Sequence, residues 1–507
     1  MAKRKSSRST RPRRSRRSSL RERSGIEAVG EHGLEGPDFG GDQAGEPTGR
    51  MLVTAVDETT SSMKSVLSSV QTATGLSRVC NAADFDEADF SADAEDEAEI
   101  IVLNELGIAI LNGDPDQNVA MQAAAESAGD DGVVIEPEYW NYPLEIDLND
   151  DPEAGDLDGD DLFDDDQPPF GDSPEGGSLD YLRGYQQAVN QMMTMMVGAS
   201  PGAEDAFPMA GAAAHTDTQT ATWGLRATRT LSSRSSGRGI RVAVLDTGMD
   251  LRHPDFGGRV IRSRSFIPSN EPDNRVQDLN SHGTHCIGTA CGPRNPGVGP
   301  RYGVASNAEI HVGKVLAHNA RTGRASGADG WILGGINWAL RRRCQVISMS
   351  LGSRVSGPGF PTSYERAARR GLQQGALIVA AAGNDSDRRR GIIRAVSRPA
   401  NCPSIAAIAA VDSRLRVANF SNRRLFGNGG EVNLSGPGVR ILSSVPMPRR
   451  TGRKNGTSMA TPHVAGIAAL VAEETGLRGL ALYRELRRRA RPLGARRDFG
   501  NGLVEAV

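Results

Sequence analysis

From residue 219 to residue 507 the sequence predicts an α/β domain, a mostly parallel sheet with helices on both faces. Three observations predict it. Short apolar or β-branched runs recur at Val242–Leu245, Glu309–Val315, Gln345–Ser350, Ala376–Ala382 and Ile405–Val411, and continuous rather than alternating apolar character suits strands buried on both faces. Longer stretches of helical texture separate several of them, including Ala328–Arg343 and Ser363–Gln374, and strands alternating with helices imply a parallel sheet. The segment is also long enough to close one large core.

The remainder sorts by composition. The 507 residues carry a formal net charge of −3, but opposed blocks lie beneath that near-neutral total. Residues 3–23 are crowded with Arg, Lys and Ser, whereas Asp84–Glu99 and Glu145–Asp166 are dominated by acids; such blocks repel themselves and stay solvated. Residues 1–50 have little to bury and read as a disordered arm, basic enough at its start to contact nucleic acid or an acidic surface. From residue 51 to residue 143 the texture changes. Leu52–Val56, Ser77–Asn81, Ile100–Leu111 (a bent strand or a hairpin) and Val133–Glu136 read as strands, with helical spacing at Met63–Val70 and Asp116–Ala128. That order is β-α-β-β-α-β, a small ferredoxin-like α+β module.

Residues 144–178 form an acidic linker, and residues 179–218 an amphipathic helix (Leu179, Leu182, Val189, Met192, Met196) followed by a small-residue connector. No apolar run is long enough to cross a bilayer. No apolar h-region follows the N-terminal Arg pairs, so an ordinary secretory signal is not expected; the cytoplasm, or export by another route, fits this pattern. The five cysteines (Cys80, Cys286, Cys291, Cys344 and Cys402) are widely spread, without metal-clip spacing, and read as buried free thiols.

Polar groups capable of chemistry gather at the ends of the C-terminal elements. Asn455-Gly456-Thr457-Ser458 leads directly to the apolar run Val464–Ala472, a tight loop opening a buried helix. Ser458 then stands in the first turn, where unpaired N–H groups and the positive dipole end favour a developing negative charge. Asp246 follows the strand ending at Leu245, and functional groups of open α/β sheets lie at such carboxyl ends. His282 opens another helix with His282-Gly283-Thr284-His285-Cys286. Singly these are a helix cap, a turn former and a satisfied polar side chain. In the order Asp, His, Ser they match one arrangement of the hydrolytic triad.

The region from Gln219 onward resembles the subtilisin-like serine proteases. Val242-Ala243-Val244-Leu245-Asp246-Thr247-Gly248 resembles the family's Asp box, His282-Gly283-Thr284-His285 its His box, and Gly456-Thr457-Ser458-Met459-Ala460-Thr461-Pro462-His463 its Ser box. Trp331–Leu340, Ile347–Gly352, Ala380–Asn384 and Gly500–Val504 fit between and after them. Cys286 after the second His is similar to the proteinase K-like branch. The resemblance implies a serine endopeptidase acting on polypeptides: Ser458 as nucleophile, His282 taking and returning its proton, Asp246 holding the imidazole tautomer. It also implies an oxyanion donor in Asn384, with Thr457 assisting. Ser350, Leu351 and Gly352 would form one wall of the substrate cleft, to which an extended peptide adds as a strand, and Ala381, Ala382 and Gly383 the other.

No cofactor is required for that chemistry. The resemblance does place Gln219, Asp255 and Asn295 where the family holds a structural Ca²⁺, and oxygen donors suit that ion. The front module resembles the family's inhibitor-type propeptide, which implies a zymogen with residues 51–143 as its own intramolecular inhibitor. The competing reading is a catalytically silent subtilase shell that binds acidic or nucleic-acid partners through the basic arm. Occupied triad positions and Asn384 argue for the enzyme.

Overall fold

The computed structural model describes residues 45–55, 67–82 except 69 and 73, 98–112, 133–145, and 213–507 except 428. The basic arm at residues 3–23, the acidic linker beyond Glu145 and the helices expected at Asp116–Ala128 and from Leu179 lie outside the described residues.

The strands begin with β1 (Pro47–Ala55), β2 (Val79–Asn81), β3 (Ile100–Leu103), β4 (Ile108–Leu111) and β5 (Val133–Pro143). Next come β6 (Arg241–Asp246), β7 (Ile261–Ser265), β8 (Glu309–Lys314), β9 (Ala317–His318), β10 (Ala325–Ala328) and β11 (Val346–Met349). The last are β12 (Leu351–Gly352), β13 (Leu377–Ala381), β14 (Ala406–Val411), β15 (Leu434–Pro437), β16 (Ile441–Ser444) and β17 (Thr451–Lys454).

The main sheet runs β15-β14-β13-β11-β6-β8-β7, and every neighbouring pair in it is parallel. Val242 and Val244 of β6 face one core with Val464, Ile467 and Leu470. Ala243 and Leu245 face a second core with Ile332, Leu333 and Ile336. With both faces covered, the run is apolar throughout instead of alternating. The order reverses at β6, since the chain passes to β8 on one side and later to β11 on the other. Ligands of open sheets bind outside such a switch point, and Asp246 is the final residue of β6.

The Thr457–Thr475 helix is buried from Thr457 to Ala472. A helix apolar on all sides belongs inside a core, and fully burying each of Val464, Ile467 and Leu470 contributes about 1.5–3 kcal/mol. That packing holds the N-terminus of the helix, and Ser458 with it, near the sheet's switch point.

The front module has the strand order β2-β3-β4-β1-β5, with β3 and β4 forming an antiparallel hairpin; Ile100–Leu111 is therefore two strands and not one bent strand. It docks on two helices of the large domain. Arg366 Nε donates to the Leu106 carbonyl at 2.8 Å, and the Glu105 N–H donates to Asn337 Oδ1 at 3.1 Å. The Glu136 carboxylate accepts the Thr362 and Ser363 N–H groups at 3.0 and 2.8 Å, satisfying donors that open the Thr362–Gln373 helix.

Three expected boundaries move. β1 starts at Pro47, inside the segment expected to be a disordered arm to residue 50, because Arg50 binds the buried carboxylate of Glu138 through Nε at 2.5 Å and Nη2 at 2.6 Å. β5 runs to Pro143 rather than ending at Glu136, because its second half finds edge partners in the large domain. The connector expected to reach residue 218 is anchored before that: the His215 N–H donates to the Ser413 carbonyl at 2.8 Å, and Asp217 accepts from Trp223 N and Arg453 Nη2, both at 2.6 Å. Among the described residues no helix is long and apolar enough to cross a membrane.

Candidate active site

Asp246 at the end of β6 and His282 at the start of the His282–Cys291 helix meet through Asp246 Oδ1 and His282 Nδ1, 2.7 Å apart. Both are buried. Burial pushes the imidazole towards its neutral form, but the charge and hydrogen bond of Asp246, together with the nearby Glu145, outweigh it and hold His282 well above the usual histidine range. Bonding Nδ1 to the carboxylate leaves Nε2 to face the cleft; among the described residues Nε2 has no hydrogen-bond partner. His285, one turn on, donates Nε2 to the Ile441 carbonyl at 2.9 Å, and burial keeps it neutral. It is a packing residue.

Ser458 sits in the first turn of its helix. Pro462, four residues later, has no N–H to give the Ser458 carbonyl. Two side chains take that place: Ser350 Oγ donates to it at 2.8 Å and Cys286 Sγ at 3.5 Å. In return the Ser458 hydroxyl donates to the Ser350 carbonyl at 2.9 Å. Cys286 thus helps seat the helix start. Although Asp246, His282 and Cys286 place their polar atoms within 4.8 Å of one another, burial pushes the Cys286 thiol up to about 11, so it stays protonated and serves as a donor. All five cysteines are buried, and none forms a disulfide.

Asn384 follows β13 through Gly383. Its Oδ1 accepts from the Thr457 N–H at 2.9 Å and from the Thr457 hydroxyl at 2.8 Å. Both contacts turn Nδ2 the other way, and Nδ2 is buried with no hydrogen-bond partner among the described residues. Thr457 therefore orients Asn384 rather than facing the cleft with its own hydroxyl, a role one step removed from the expected one.

The cleft is filled by the end of β5. Trp140 and Asn141 pair with Ala328 and Gly327 of β10, while Tyr142 and Pro143 pair with Gly352 and Leu351 of β12, both antiparallel. The Leu144 N–H then donates to the Ser350 carbonyl at 3.3 Å, and the Leu144 carbonyl accepts from the Ser458 N–H at 3.2 Å. Gly456 (φ +151°) is required here, because a Cβ would stand 2.5 Å from the Leu144 oxygen and 3.1 Å from Asn384 Nδ2. Just beyond, Glu145 pairs with Lys454 at 2.7 Å.

Of the expected cleft residues, Ser350, Leu351 and Gly352 touch this strand directly, and the Leu144 side chain lies 3.2 Å from where a Cβ on Gly352 would stand. Ala381 and Ala382 are wholly buried. Gly383 (φ +114°) packs so tightly that a Cβ would fall 2.2 Å from Asn422 Nδ2 and 2.3 Å from Ser397 Oγ. No β5 pairing is formed by these three residues; their segment carries Asn384 into place. Sequence reading missed Gly327 and Ala328 on the opposite wall, and Asp329, Arg398 and Lys454 around the strand. The usable signal was Trp140–Leu144 itself, an apolar stretch immediately before the acidic linker.

The residues expected to hold Ca²⁺ do not fit the ion. Gln219 and Asn295 are exposed. Asp255 Oδ1 accepts from Arg450 Nη2 at 2.6 Å and from the Gly297 N–H at 3.1 Å, and Oδ2 from the Tyr302 hydroxyl at 2.7 Å. Burial raises the Asp255 carboxyl, but these hydrogen bonds overcome it and leave it below its usual range. A guanidinium already matches the charge, and donors occupy the oxygens a metal would need. Full-length protein treated with EDTA should therefore melt at the same temperature as protein given millimolar Ca²⁺, whereas Arg450→Met should destabilise by about 1–3 kcal/mol by stranding the carboxylate. A calcium-dependent rise in the midpoint that vanishes in Asp255→Ala would overturn this.

A family model described as "Subtilase family" matches residues 237–502. Among curated proteins, Subtilisin of Bacillus pumilus is 38% identical over 271 residues, covering 53% of this chain and 90% of that protein. Subtilisin E of Bacillus subtilis (strain 168) is also 38% identical over 271 residues, covering 53% of this chain and 65% of its own length. The Major intracellular serine protease of the same organism is 35% identical over 277 residues, covering 53% of this chain and 81% of that protein. With β6 ending in Asp246, one helix opening at His282 and another carrying Ser458 in its first turn, and a family match across half of its length, the chain belongs to the subtilase family of serine endopeptidases.

Proposed function

We propose that the chain is the zymogen of an endopeptidase that uses Ser458, His282 and Asp246, and that its first substrate is its own Leu144–Glu145 bond. One observation carries this reading: the Leu144 carbonyl lies on the Ser458 N–H, on a strand paired with both walls of the cleft. In the reaction the Ser458 hydroxyl exchanges the Ser350 carbonyl for Nε2 of His282. His282 removes its proton as Oγ attacks the Leu144 carbonyl carbon, then returns that proton to the leaving Glu145 nitrogen. Asp246 keeps Nε2 in acceptor form and stabilises the imidazolium. The Ser458 N–H and Asn384 Nδ2 take the charge that develops on oxygen. Water hydrolyses the acyl-enzyme. With its pairing to β10 and β12 intact, the cleaved strand remains as an inhibitor until the front module is removed.

Incubated wild-type protein is expected to yield a fragment beginning at Glu145, read by N-terminal sequencing. Fluorophosphonate labelling at Ser458 separates an active site from the silent shell. Labelled protein whose first cut lies elsewhere would sink the self-processing reading.

The rate of this cut should rise with pH across a window above the ordinary imidazole value of about 6.5. His282 works only when neutral, and its proton is held above the usual range: burial opposes the charge, while Asp246 and the nearby Glu145 carboxylate favour it. Glu145→Gln removes one of those charges and should move the midpoint of the pH–rate profile down. The sign for stability is opposite. The extra affinity for a proton in the folded state stabilises the precursor at low pH and is lost as pH rises through the folded-state value. An unmoved midpoint in Glu145→Gln would count against this assignment.

A further inference from the structure

With Leu144 as the residue preceding the scissile bond, Asn141 is the fourth residue on its N-terminal side. Its side chain is wholly buried, and Nδ2 donates to Asp329 Oδ1 at 2.7 Å. Asp329 is itself wholly buried at the start of the Asp329–Arg341 helix. Its Oδ1 also accepts from the Tyr364 hydroxyl at 2.9 Å, and its Oδ2 from Arg398 Nη2 and the Tyr139 N–H, each at 2.8 Å. Two of these four donors come from the cleft strand. Glu138, the other buried acid nearby, is taken up by Arg50 and by the Gly330 N–H at 2.8 Å.

This deepens the proposed function and rests on reading Tyr139–Glu145 as a substrate-like strand. We infer that Asp329 makes the enzyme selective for polypeptides carrying a side-chain amide at the fourth position before the cut. The pocket presents a carboxylate oxygen with room for a second donor once the strand is bound; an aliphatic side chain there leaves that buried oxygen with the Tyr364 hydroxyl alone and one charge-assisted hydrogen bond short. Arg398 already balances the charge, so a Lys or Arg on the substrate would bring a second cation into a dry site, and an acid a second anion. A neutral amide supplies the hydrogen bond without adding charge. Trp140, its neighbour on the strand, packs edge-on against Trp331 with ring centroids 5.4 Å apart.

The test exchanges donor and acceptor. Full-length chains carry Asn141→Asp, Asp329→Asn or both substitutions, and cutting at Leu144–Glu145 is followed by intact mass. Each single variant should slow the cut by about 30-fold, since one sets two carboxylates together and the other strands Arg398. The swap should return to within about threefold of wild type, because one carboxylate and one amide again face each other. The same cycle in the Ser458→Ala background, read as melting temperatures, should show singles lowered and the double restored. Processed wild-type protein should cleave Trp-Asn-Tyr-Pro-Leu-Glu about 30-fold more efficiently than Trp-Leu-Tyr-Pro-Leu-Glu in kcat/KM. A double variant no better than the worse single in both cycles, or equal peptide rates, overturns the inference while the endopeptidase reading stands. Failure of Ser458 to label, with rescue still seen in the melting cycle, sinks that reading and leaves the pocket's preference in place.

Discussion

Full-length Ser458→Ala protein is expected to remain uncut at Leu144–Glu145 for as long as wild type takes to process completely, and to hydrolyse no added polypeptide. The loss should be on the order of 10⁶-fold in kcat, a magnitude that belongs to subtilisin and is carried over with the family. The physical reason is that, in the proposed reaction, Ser458 supplies the attacking oxygen, and its neighbours among the described residues do not replace it. Cys286 is close, but its thiol is held protonated by burial at about 11 and donates to the Ser458 carbonyl. His282 without its partner can at best activate water, in a cleft from which the strand excludes water. Intact-mass time courses of variant and wild type at equal concentration check this, and identical fragments from both would assign the cut to another protease. The substitution should preserve folding, because the helix start is seated through the Ser458 carbonyl, which alanine keeps.

Asn384→Ala should cost about 10²–10³ in kcat, or about 2.7–4 kcal/mol of transition-state stabilisation, a range also established with subtilisin. The geometry explains why a side chain is used here. The Ser458 N–H already meets the Leu144 carbonyl from the helix side at 3.2 Å, and Asn384 Nδ2, which like that carbonyl lies against Gly456, has no hydrogen-bond partner among the described residues. Because Thr457 holds the amide through Oδ1, Asn384→Asp should lose comparable activity: an acid keeps the contacts to Thr457 but offers no N–H to a developing anion. Thr457→Val should lose less, since the Thr457 N–H still orients Asn384. kcat and KM measured on one peptide substrate decide it. A loss confined to KM would remove Asn384 from the transition state and make it a binding residue.

Much of the catalytic domain was legible because its signals are local. A strand buried on both faces is apolar along its length, as β6 is, and a helix buried on all sides is apolar all round, as the Ser458 helix is. The residues at the ends of such elements are then the ones that chemistry can use, so Asp246, His282 and Ser458 stood out before any distance was known. Asn384 came only with the family resemblance, at the end of the run Ala380–Asn384.

The sequence by itself determined which elements form, which of their ends carry reactive groups and the family to which they belong. Only the tertiary structure decided what occupies the cleft and what surrounds it. Trp140–Glu145 owes its conformation to β10, β12, Asp329 and Lys454, partners far away in the chain that leave no periodic trace in the strand itself. The same holds for Asp255, whose carboxylate looks fit for a metal until Arg450, 195 residues later, is seen to fill its place. Hydrophobic periodicity records burial, which each residue expresses through its own side chain. Pairing between charged and polar groups depends on a second residue that folding brings near, and no local pattern encodes that.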